Sequence, residues 1–345
     1  MRFSVAMCTY NGARYVREQL ESIATQTRPP DELIVCDDGS IDQTADTVTA
    51  FARTASFPVR LQVNETNLGS TKNFEQALKI CKGDLIAFSD QDDVWLPEKL
   101  SQLERALENG AALAFTNGEV VDDSLKPLGR SVWDTLGFSA KEQETFRQGR
   151  AFDVLLDHNV ATGAAMAFRA DFKDLILPIP DNLIHDGVPV LHDWWAALLV
   201  AAVSKISFIA EQLLKYRQHE RQQMGVYGAL EPSSAMTAKE PFREAAVRRN
   251  SFASEINYFD ALHERLSSRP GFRARAEILE ELQQRVEHLT TRARLPEARL
   301  QRIGPIVREL FKRRYDRYSN GLFSAGKDFW FQPTPEVAAN KSRNT

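Results

Sequence analysis

Residues 88–95 read FSDQDDVW, the end of an apolar run that delivers three carboxylates into a loop. Clustered carboxylates repel one another unless a cation or hydrogen-bond donors neutralise them. Hard divalent cations such as Mg²⁺ take one or two carboxylates and keep their other positions for water and phosphate oxygens. Asp90, Asp92 and Asp93 are therefore candidates for a site that holds a metal ion and a diphosphate. The alternative is a solvated acidic turn that caps a helix beginning near Pro97.

Short β-rich runs alternate with amphipathic helical runs through the first third of the chain. Such alternation is typical of βαβ units and a parallel sheet. The spacing predicts strands over residues 3–8, 32–36, 59–63 and 84–88, and helices over residues 14–25, 43–52 and 71–81. The sequence therefore predicts an α/β fold.

Each predicted strand ends in a polar loop, at residues 9–12, 37–40, 64–69 and 90–93. In an open α/β sheet the carboxyl ends of the strands and the N-termini of the helices meet at one crevice, which binds the ligand. We expect the four loops to converge there. A carboxylate such as Asp38 can accept hydrogen bonds from a base or a ribose, although Asp-Gly is also common in turns. Thr9, Tyr10 and Asn11 are equally open to two interpretations, because Asn11 can cap the next helix.

A further carboxylate, Asp193, lies in the sequence HDWW at residues 192–195, where an apolar helix begins. Beside two indoles a carboxylate can sit in a partly dry pocket, where its proton affinity is tuned toward that of a general base. The alternative is an N-capping aspartate with two core tryptophans.

Residues 216–219 read YRQH, and Arg221 and Gln223 lie just beyond. This segment offers the guanidinium of Arg217 for phosphate and the imidazole of His219 for a metal ion. Because lone histidines are usually structural, His219 has a structural alternative.

The composition is that of an ordinary globular enzyme, with 345 residues, 26% charged, 43% hydrophobic, and a formal net charge of -4. This balance speaks against disorder and against a generally nucleic-acid-binding surface. Cys8, Cys36 and Cys81 form no CxxC pair, so we expect buried free thiols in a reducing cytoplasm. The longest apolar stretch, residues 194–203, is too short to cross a bilayer, and no leader is evident, so we expect a cytoplasmic protein.

We predict a catalytic domain over residues 1–225, a helical C-terminal subdomain over 226–331 and a polar tail over 332–345. In residues 292–318 cationic side chains far outnumber acidic ones, and aromatic residues follow. One interpretation is a helix at the membrane surface; the other is a helix docked on the catalytic domain or on a second subunit in a homodimer. The apolar side would consist of Leu295, Leu300, Ile303, Ile306, Leu310 and Phe311.

Taken together, these segments resemble the family 2 glycosyltransferases, and especially a bacterial branch that includes rhamnosyltransferases of surface-polysaccharide assembly. The resemblance covers roughly residues 1 to 225 in the family's order. It implies the GT-A fold, a Rossmann-like α/β fold with a mixed, mostly parallel sheet. The matching segments are CTYNG (8–12), EQL (18–20), SI (22–23), QT (26–27), DDGS (37–40), NLG (67–69), NF (73–74), SDQDDVW (89–95) and HDWW (192–195).

The resemblance also implies a role for each matched residue. The base and ribose of a nucleotide-sugar donor would be held by Thr9, Tyr10 and Asp38. Asp90 would contact the ribose or a water on the metal ion, and Asp92 the metal ion itself. Asp193 matches the catalytic base that deprotonates the acceptor hydroxyl, so that configuration at the anomeric carbon inverts. The predicted donor set also includes Asn11 and Lys72, and the predicted metal set also includes Asp93 and His219.

The implied reaction uses Mg²⁺ or Mn²⁺, a dTDP- or UDP-sugar donor, and a saccharide or lipid-linked saccharide acceptor, with dTDP-rhamnose favoured through the branch. The family's frequent Gln-x-x-Arg-Trp segment is absent, which argues against a processive synthase. Three rival functions remain: a sugar nucleotidyltransferase, a glycosidase, and a saccharide-binding scaffold. Residues 9–13 lack the Gly-rich basic loop that the first would need.

Overall fold

The structure, a computed structural model, describes residues 1–219, 222 and 241–330. The chain divides into two compact units, Met1–Asp181 with Leu191–Pro232, and Asn182–Val190 with Ser233–Thr345. Residues 182–190 thus belong to the second unit and interrupt the domain that we predicted as continuous. Within that unit His185 Nδ1 lies 2.6 Å from Glu255 Oε2, a contact between residues too far apart in sequence for local pattern to reveal. The predicted polar tail lies outside the described residues.

The first unit is built on one nine-stranded mixed sheet, and a two-stranded sheet of β9 and β10 lies in the second unit. The strands are β1 (Phe3–Thr9), β2 (Glu32–Asp37), β3 (Val59–Val63), β4 (Leu85–Ser89), β5 (Val94–Trp95), β6 (Leu113–Val121), β7 (Pro127–Ser131), β8 (Met166–Arg169), β9 (Ile184–His185), β10 (Val188–Pro189) and β11 (Ile206–Arg217).

Helices cover the sheet in the first unit and make up most of the second. Two 3₁₀ turns, Gly163–Ala165 and Ala170–Phe172, flank β8. The helices of the first unit are α1 (Val16–Ala24), α2 (Thr44–Ala52), α3 (Ser70–Ile80), α4 (Lys99–Glu108), α5 (Val132–Leu136), α6 (Ala140–Arg147), α7 (Ala151–Asp157), α8 (Lys173–Ile176) and α9 (His192–Val203). Those of the second unit are α10 (Pro241–Ser268), α11 (Ala276–Ala293), α12 (Arg299–Phe311), α13 (Arg314–Tyr318) and α14 (Gly321–Trp330).

The strand order is β3-β2-β1-β4-β8-β6-β11-β5, with β7 paired to β6. The first four strands are parallel, and β8 runs antiparallel between β4 and β6. Strands β1, β2 and β4 are buried on both faces, which explains why they are nearly continuous apolar runs. From β1 the chain builds β2 and β3 on one side and then crosses to β4 on the other side of β1. Such a reversal of strand order opens a crevice beyond the carboxyl ends of the strands.

The second unit has its own apolar core of Leu295, Ile306, Tyr315 and Ala325. Within the predicted helical subdomain, residues 276–318 form three helices, because α11 ends before Pro296 and Arg313 adopts a left-handed φ of 54° between α12 and α13. Within the ranges that the structure describes, no helix has both the length and the apolarity that a bilayer crossing requires.

Candidate active site

The polar loops converge as predicted on one cavity of about 410 Å³ at the carboxyl ends of β1 and β4. Its lining comes from the loops after β1, β2, β3 and β4, from the start of α9 and from the end of β11. The cysteines are buried and free, also as predicted. The polar side chains that line the cavity include Thr9, Tyr10, Asp38, Asn67, Asn73, Asp90, Gln91, Asp92, Thr162, Asp193, Tyr216 and Gln222.

Gln91 joins the loops after β1 and β4. Its Oε1 accepts from the Tyr10 N–H at 2.8 Å, and its Nε2 donates to the Tyr10 carbonyl at 3.0 Å. The approach requires Gly12, because a Cβ there would lie 2.0 Å from Gln91 Oε1. These two bonds fix the backbone of Tyr10, which lines the cavity and is 48% exposed, so its ring can meet a flat ligand such as a base.

Asp38 is buried and organises the loop that follows β3. Its carboxylate accepts from the backbone N–H of Leu68 at 2.8 Å, from that of Gly69 at 2.9 Å, and from Asn64 Nδ2 at 2.9 Å. It also lines the cavity. Asp38 therefore fixes the loop after β3, and this loop lines the predicted donor pocket. This role does not depend on any direct contact between Asp38 and a ligand.

Thr9 and Asn11 form hydrogen bonds with the end of β2 and the loop that follows it. Thr9 lines the cavity but its hydroxyl donates to Asp37 Oδ2 at 2.7 Å. The Asn11 N–H donates to Ser40 Oγ, and Asn11 Oδ1 accepts from the Ile41 N–H at 2.9 Å. Asn11 is not among the cavity-lining residues, and no side chain caps α1. Asn11 therefore joins the loops after β1 and β2, instead of capping α1 or lining the cavity as the sequence suggested.

Lys72, predicted to bind the donor, instead ties α3 to a later loop. Its Nζ donates to the Ile179 carbonyl at 2.7 Å and lies 3.1 Å from Glu75 Oε2 and 3.4 Å from Asp181 Oδ1. Lys72 does not line the cavity. Its charge is used within the first unit, so we remove it from the proposed donor site.

The three carboxylates of the acidic loop face different surroundings. Asp90 and Asp92 line the cavity, whereas the fully buried Asp93 does not. Burial, and then the negative charges of Asp92 and Asp193, raise the pKa of Asp90 to about 7. The cavity thus concentrates negative charge that a bound cation would relieve.

Asp93 faces the protein interior because β5 turns back toward β11. Its Oδ1 accepts from the Arg217 N–H at 3.1 Å, and burial raises its pKa well above the usual range. The buried ammonium of Lys99 acts against that rise; it lies 3.7 Å from the centroid of the Trp95 ring and donates to the Ala164 carbonyl. We therefore replace the predicted metal-ligand role of Asp93 by a structural one.

Arg217 and His219 brace Asp92 from the end of β11. The guanidinium of Arg217 donates to the Asp92 carbonyl at 2.7 Å and to the Asp123 carbonyl at 2.6 Å, and it pairs with Glu18. Only 2% of Arg217 is exposed, and these bonds use its guanidinium within the first unit, so the phosphate contact suggested for this segment stays a prediction. His219 Nε2 lies 2.8 Å from Asp92 Oδ2. Arg221 and Gln223, singled out with them, lie outside the described residues.

Asp193 lies in the first turn of α9 and lines the same cavity as Asp90 and Asp92 of the acidic loop. Its Oδ2 accepts from the Gly163 N–H at 2.9 Å and from Asn159 Nδ2 at 3.3 Å, and its Oδ1 accepts from the Trp194 N–H at 2.7 Å. Leu191 is the N-cap residue of α9, so Asp193 is not the capping residue. The carboxylate is held in one orientation at the edge of an open space, as a general base must be.

Two features that sequence reasoning missed hold Asp193, namely Asn159 and the 3₁₀ turn that begins at Gly163. The polar Asn159 and the Thr162–Gly163 pair, which stand at the start of the apolar residues 163–168, are breaker signals that would mark a loop there.

His192 forms the floor beside Asp193. It stacks on Phe74 with ring centroids 3.8 Å apart, and burial lowers its pKa to about 4, so the imidazole is neutral at physiological pH. A Cβ on Gly163 would lie 2.9 Å from His192 Nε2 and 3.3 Å from Asp193 Cβ. The turn can approach α9 this closely only because residue 163 has no side chain.

We predict that Gly163→Ala lowers kcat about tenfold or more, because sub-ångström displacement of a catalytic group is costly. Steady-state kinetics of the variant measure the change in kcat, and its thermal unfolding midpoint measures any change in stability. Gly326→Ala is the control, since a Cβ there meets nothing within 4 Å. Parent-like kcat in Gly163→Ala would show that Asp193 does not depend on this approach.

Within residues 1–219, 222 and 241–330, no group of three or more His, Cys, Asp and Glu side chains has the arrangement of a metal site. The cavity nevertheless has the donor chemistry that hard cations use, with Asp90 and Asp92 on one wall and space for phosphate oxygens. A cation sharing its coordination with a ligand fits these residues better than one enclosed by protein.

Comparisons with known proteins agree with this site. A family model described as Glycosyl transferase family 2 matches residues 4–175. A glycosyltransferase of Nostoc sp. is 24% identical over 271 residues, which cover 75% of this chain and 77% of that protein. An Escherichia coli UDP-Glc:alpha-D-GlcNAc-diphosphoundecaprenol beta-1,3-glucosyltransferase is 33% identical over 122 residues, or 35% of this chain and 47% of that protein.

Among solved structures, the crystal structure of S. aureus TarS 1-349 in complex with UDP-GlcNAc aligns with a TM-score of 0.50 and 19% identity, covering 96% of this chain and 93% of that chain. The sheet, the crevice and these matches define a glycosyltransferase of the GT-A fold. The chain belongs to glycosyl transferase family 2, through residues 4–175.

Proposed function

We propose that the protein is an inverting glycosyltransferase that moves a sugar from a nucleoside-diphosphate sugar to an acceptor hydroxyl in bacterial surface-polysaccharide assembly. One observation carries the proposal: Asp193, at the start of α9, lines the same cavity as Asp90 and Asp92 from the loop after β4. The charge of Asp90 and Asp92 suits the leaving diphosphate and its cation, and the fixed carboxylate of Asp193 suits the attacking hydroxyl.

In this proposal Asp193 takes the proton of the acceptor hydroxyl as its oxygen attacks the anomeric carbon. The bond from that carbon to the diphosphate oxygen breaks, and the nucleoside diphosphate leaves from the opposite face. Configuration therefore inverts. The bonds from Gly163, Asn159 and Trp194 hold the carboxylate in place during the transfer.

We propose Asp92 as the ligand of a Mg²⁺ or Mn²⁺ ion, with Asp90 beside it and His219 fixing the orientation of Asp92. When bound, the ion would stabilise negative charge on the leaving diphosphate. Thr9, Tyr10 and Asp38 are the proposed contacts of base and ribose, because they line the same cavity.

We propose a dTDP- or UDP-sugar as donor, with dTDP-rhamnose suggested by the branch that the motifs resemble. A lipid-linked saccharide is the proposed acceptor. The E. coli relative supports the second point, because its name specifies a diphosphoundecaprenol-linked sugar as acceptor. An enzyme with such an acceptor works at the inner face of the cytoplasmic membrane.

The test is release of nucleoside diphosphate from a panel of UDP-, dTDP- and GDP-sugars, with and without saccharide acceptors. The expected result is one preferred donor, acceptor-dependent release, and a product of inverted anomeric configuration by NMR. Retained configuration would overturn the mechanism. Release of pyrophosphate from nucleoside triphosphate and sugar phosphate would identify a nucleotidyltransferase, and binding of saccharide without any turnover a scaffold.

A further inference from the structure

Helix α12, in the second unit, has two apolar sides, and only one of them is covered. Ile306 and Leu310 pack into the core of that unit. The other side carries the α12 stripe, which we define as Leu300, Ile303, Val307 and Phe311. Their exposed fractions are 79%, 44%, 40% and 85%. Spacings of three and four residues align them along one face of the helix.

This stripe differs from the apolar side expected from sequence alone. Leu295, Ile306 and Leu310, which we had placed on it, belong to the core of the second unit. Val307, which we had left out, lies on the exposed side. Large apolar side chains aligned on one exposed face are uncommon in a free surface and mark a contact with another body.

Exposed cations border the stripe on both sides. Because successive residues turn by about 100° around a helix, Arg299 and Arg308 lie on opposite flanks of it, and both are exposed. The guanidinium of Arg299 lies 5.1 Å from the centroid of the Trp330 ring, which is 58% exposed. Lys312 and Arg313 extend the exposed positive charge beyond the end of the helix.

Some cationic side chains near α12 are buried or paired within the second unit and do not contribute to the exposed positive surface. Only 1% of Arg302 is exposed, and its guanidinium donates to the carbonyls of Pro296 and Glu297 at 2.7 and 2.8 Å. Arg292 pairs with Asp328 at 2.7 Å. The core of the unit thus uses some cations, while those beside the stripe face outward.

An apolar stripe edged by arginines and a tryptophan matches the interface of an anionic bilayer, where acyl chains meet negative headgroups. A second copy of the chain is a poorer partner. A two-fold contact through the stripe would bring Arg299 and Arg308 of one copy against the same residues of the other, and like charges repel.

We propose that the α12 stripe docks the protein on an anionic membrane surface, with Leu300 and Phe311 entering the headgroup region and Arg299 and Arg308 contacting lipid phosphates. The biological purpose rests on the proposed function, because a lipid-linked acceptor is confined to that surface. The docking surface itself is a property of the second unit.

The experiment is co-sedimentation of the full chain with vesicles of phosphatidylcholine alone or mixed with phosphatidylglycerol, at low and high salt. We expect binding to the mixed vesicles that weakens as salt rises. Leu300→Ser/Phe311→Ser should lower the vesicle partition coefficient at least about tenfold. Each substitution removes apolar surface whose transfer from water into the bilayer favours binding. Arg299→Glu/Arg308→Glu should lower it for the mixed vesicles only.

Leu128→Ser is the matched control, because Leu128 is an exposed apolar residue of the first unit, at 45% exposure. The docking proposal would be overturned if the parent did not bind the vesicles, or if Leu300→Ser/Phe311→Ser bound them as well as the parent. It would also be overturned if the parent bound no vesicles but formed a dimer in sedimentation velocity that Leu300→Ser/Phe311→Ser abolished. Donor turnover with a water-soluble acceptor is measured in parallel: vesicle binding without turnover would refute the proposed function and leave the docking surface standing.

Discussion

Asp193→Asn is expected to keep donor binding and to lower turnover by about 10²-fold or more, the usual scale of general-base loss. The amide has nearly the size of the carboxylate and can still accept the bond from the Gly163 N–H, so the start of α9 should keep its position. It cannot take a proton from the acceptor hydroxyl. Single-turnover rates and calorimetric donor affinity separate the two effects.

Asp171→Asn serves as the control for Asp193→Asn, because the Asp171 side chain is 77% exposed and its carboxylate lies 3.5 Å from the guanidinium of Arg169. It should match the parent in both measurements. If Asp193→Asn turned over normally but no longer bound donor, Asp193 would be a binding residue and the proposed base would be wrong.

Asp92→Ala is expected to abolish divalent-dependent binding of nucleoside diphosphate and, with it, turnover. The change removes the cavity carboxylate that His219 contacts, so the cation loses a ligand, while the bond from Arg217 to the Asp92 carbonyl is kept and β11 and the sheet stay intact. Calorimetry of nucleoside diphosphate binding with Mn²⁺, with Mg²⁺ and with a chelator measures the effect without relying on activity.

The informative partner of that variant is Asp93→Asn. Because Asp93 is buried outside the cavity and accepts from the Arg217 N–H, its amide should keep divalent-dependent binding near the parent level. The two variants thus test whether Asp92, and not its neighbour Asp93, is the carboxylate that binds the cation. Full activity of Asp92→Ala in a chelator would remove the metal proposal, and loss of divalent dependence in Asp93→Asn would restore Asp93 as a ligand.

The fold of the first unit was largely predictable because parallel strands and their covering helices carry local periodic signals. The predicted strand over residues 59–63 coincides with β3, those over 3–8 and 32–36 are one residue shorter than β1 and β2, and that over 84–88 is displaced by one residue from β4. The convergence of the loops followed from the rule that parallel strands share one carboxyl edge. The GT-A fold implied by the motifs is confirmed. The boundary at residues 182–190 was not predictable, since it depends on His185 meeting Glu255.

The chemistry of single side chains was less predictable, because it depends on which partner each one meets in space. Three acidic residues within one loop look alike in sequence, yet the turn into β5 leaves Asp92 at the cavity and buries Asp93 against Arg217. Lys72 resembles a donor contact until Ile179 and Asp181 are seen to take its ammonium.

Sequence alone was enough for what local pattern encodes: the alternating strands and helices, the edge where polar loops collect, and the carboxylates available there. Tertiary structure alone decided what depends on distant contacts. It brought Gly163 and Asn159 to Asp193, turned Arg217 inward, and left Leu300 and Phe311 uncovered on α12. The physical reason is that periodicity reports which side of one element is apolar, whereas burial and hydrogen bonding depend on the elements that pack against it.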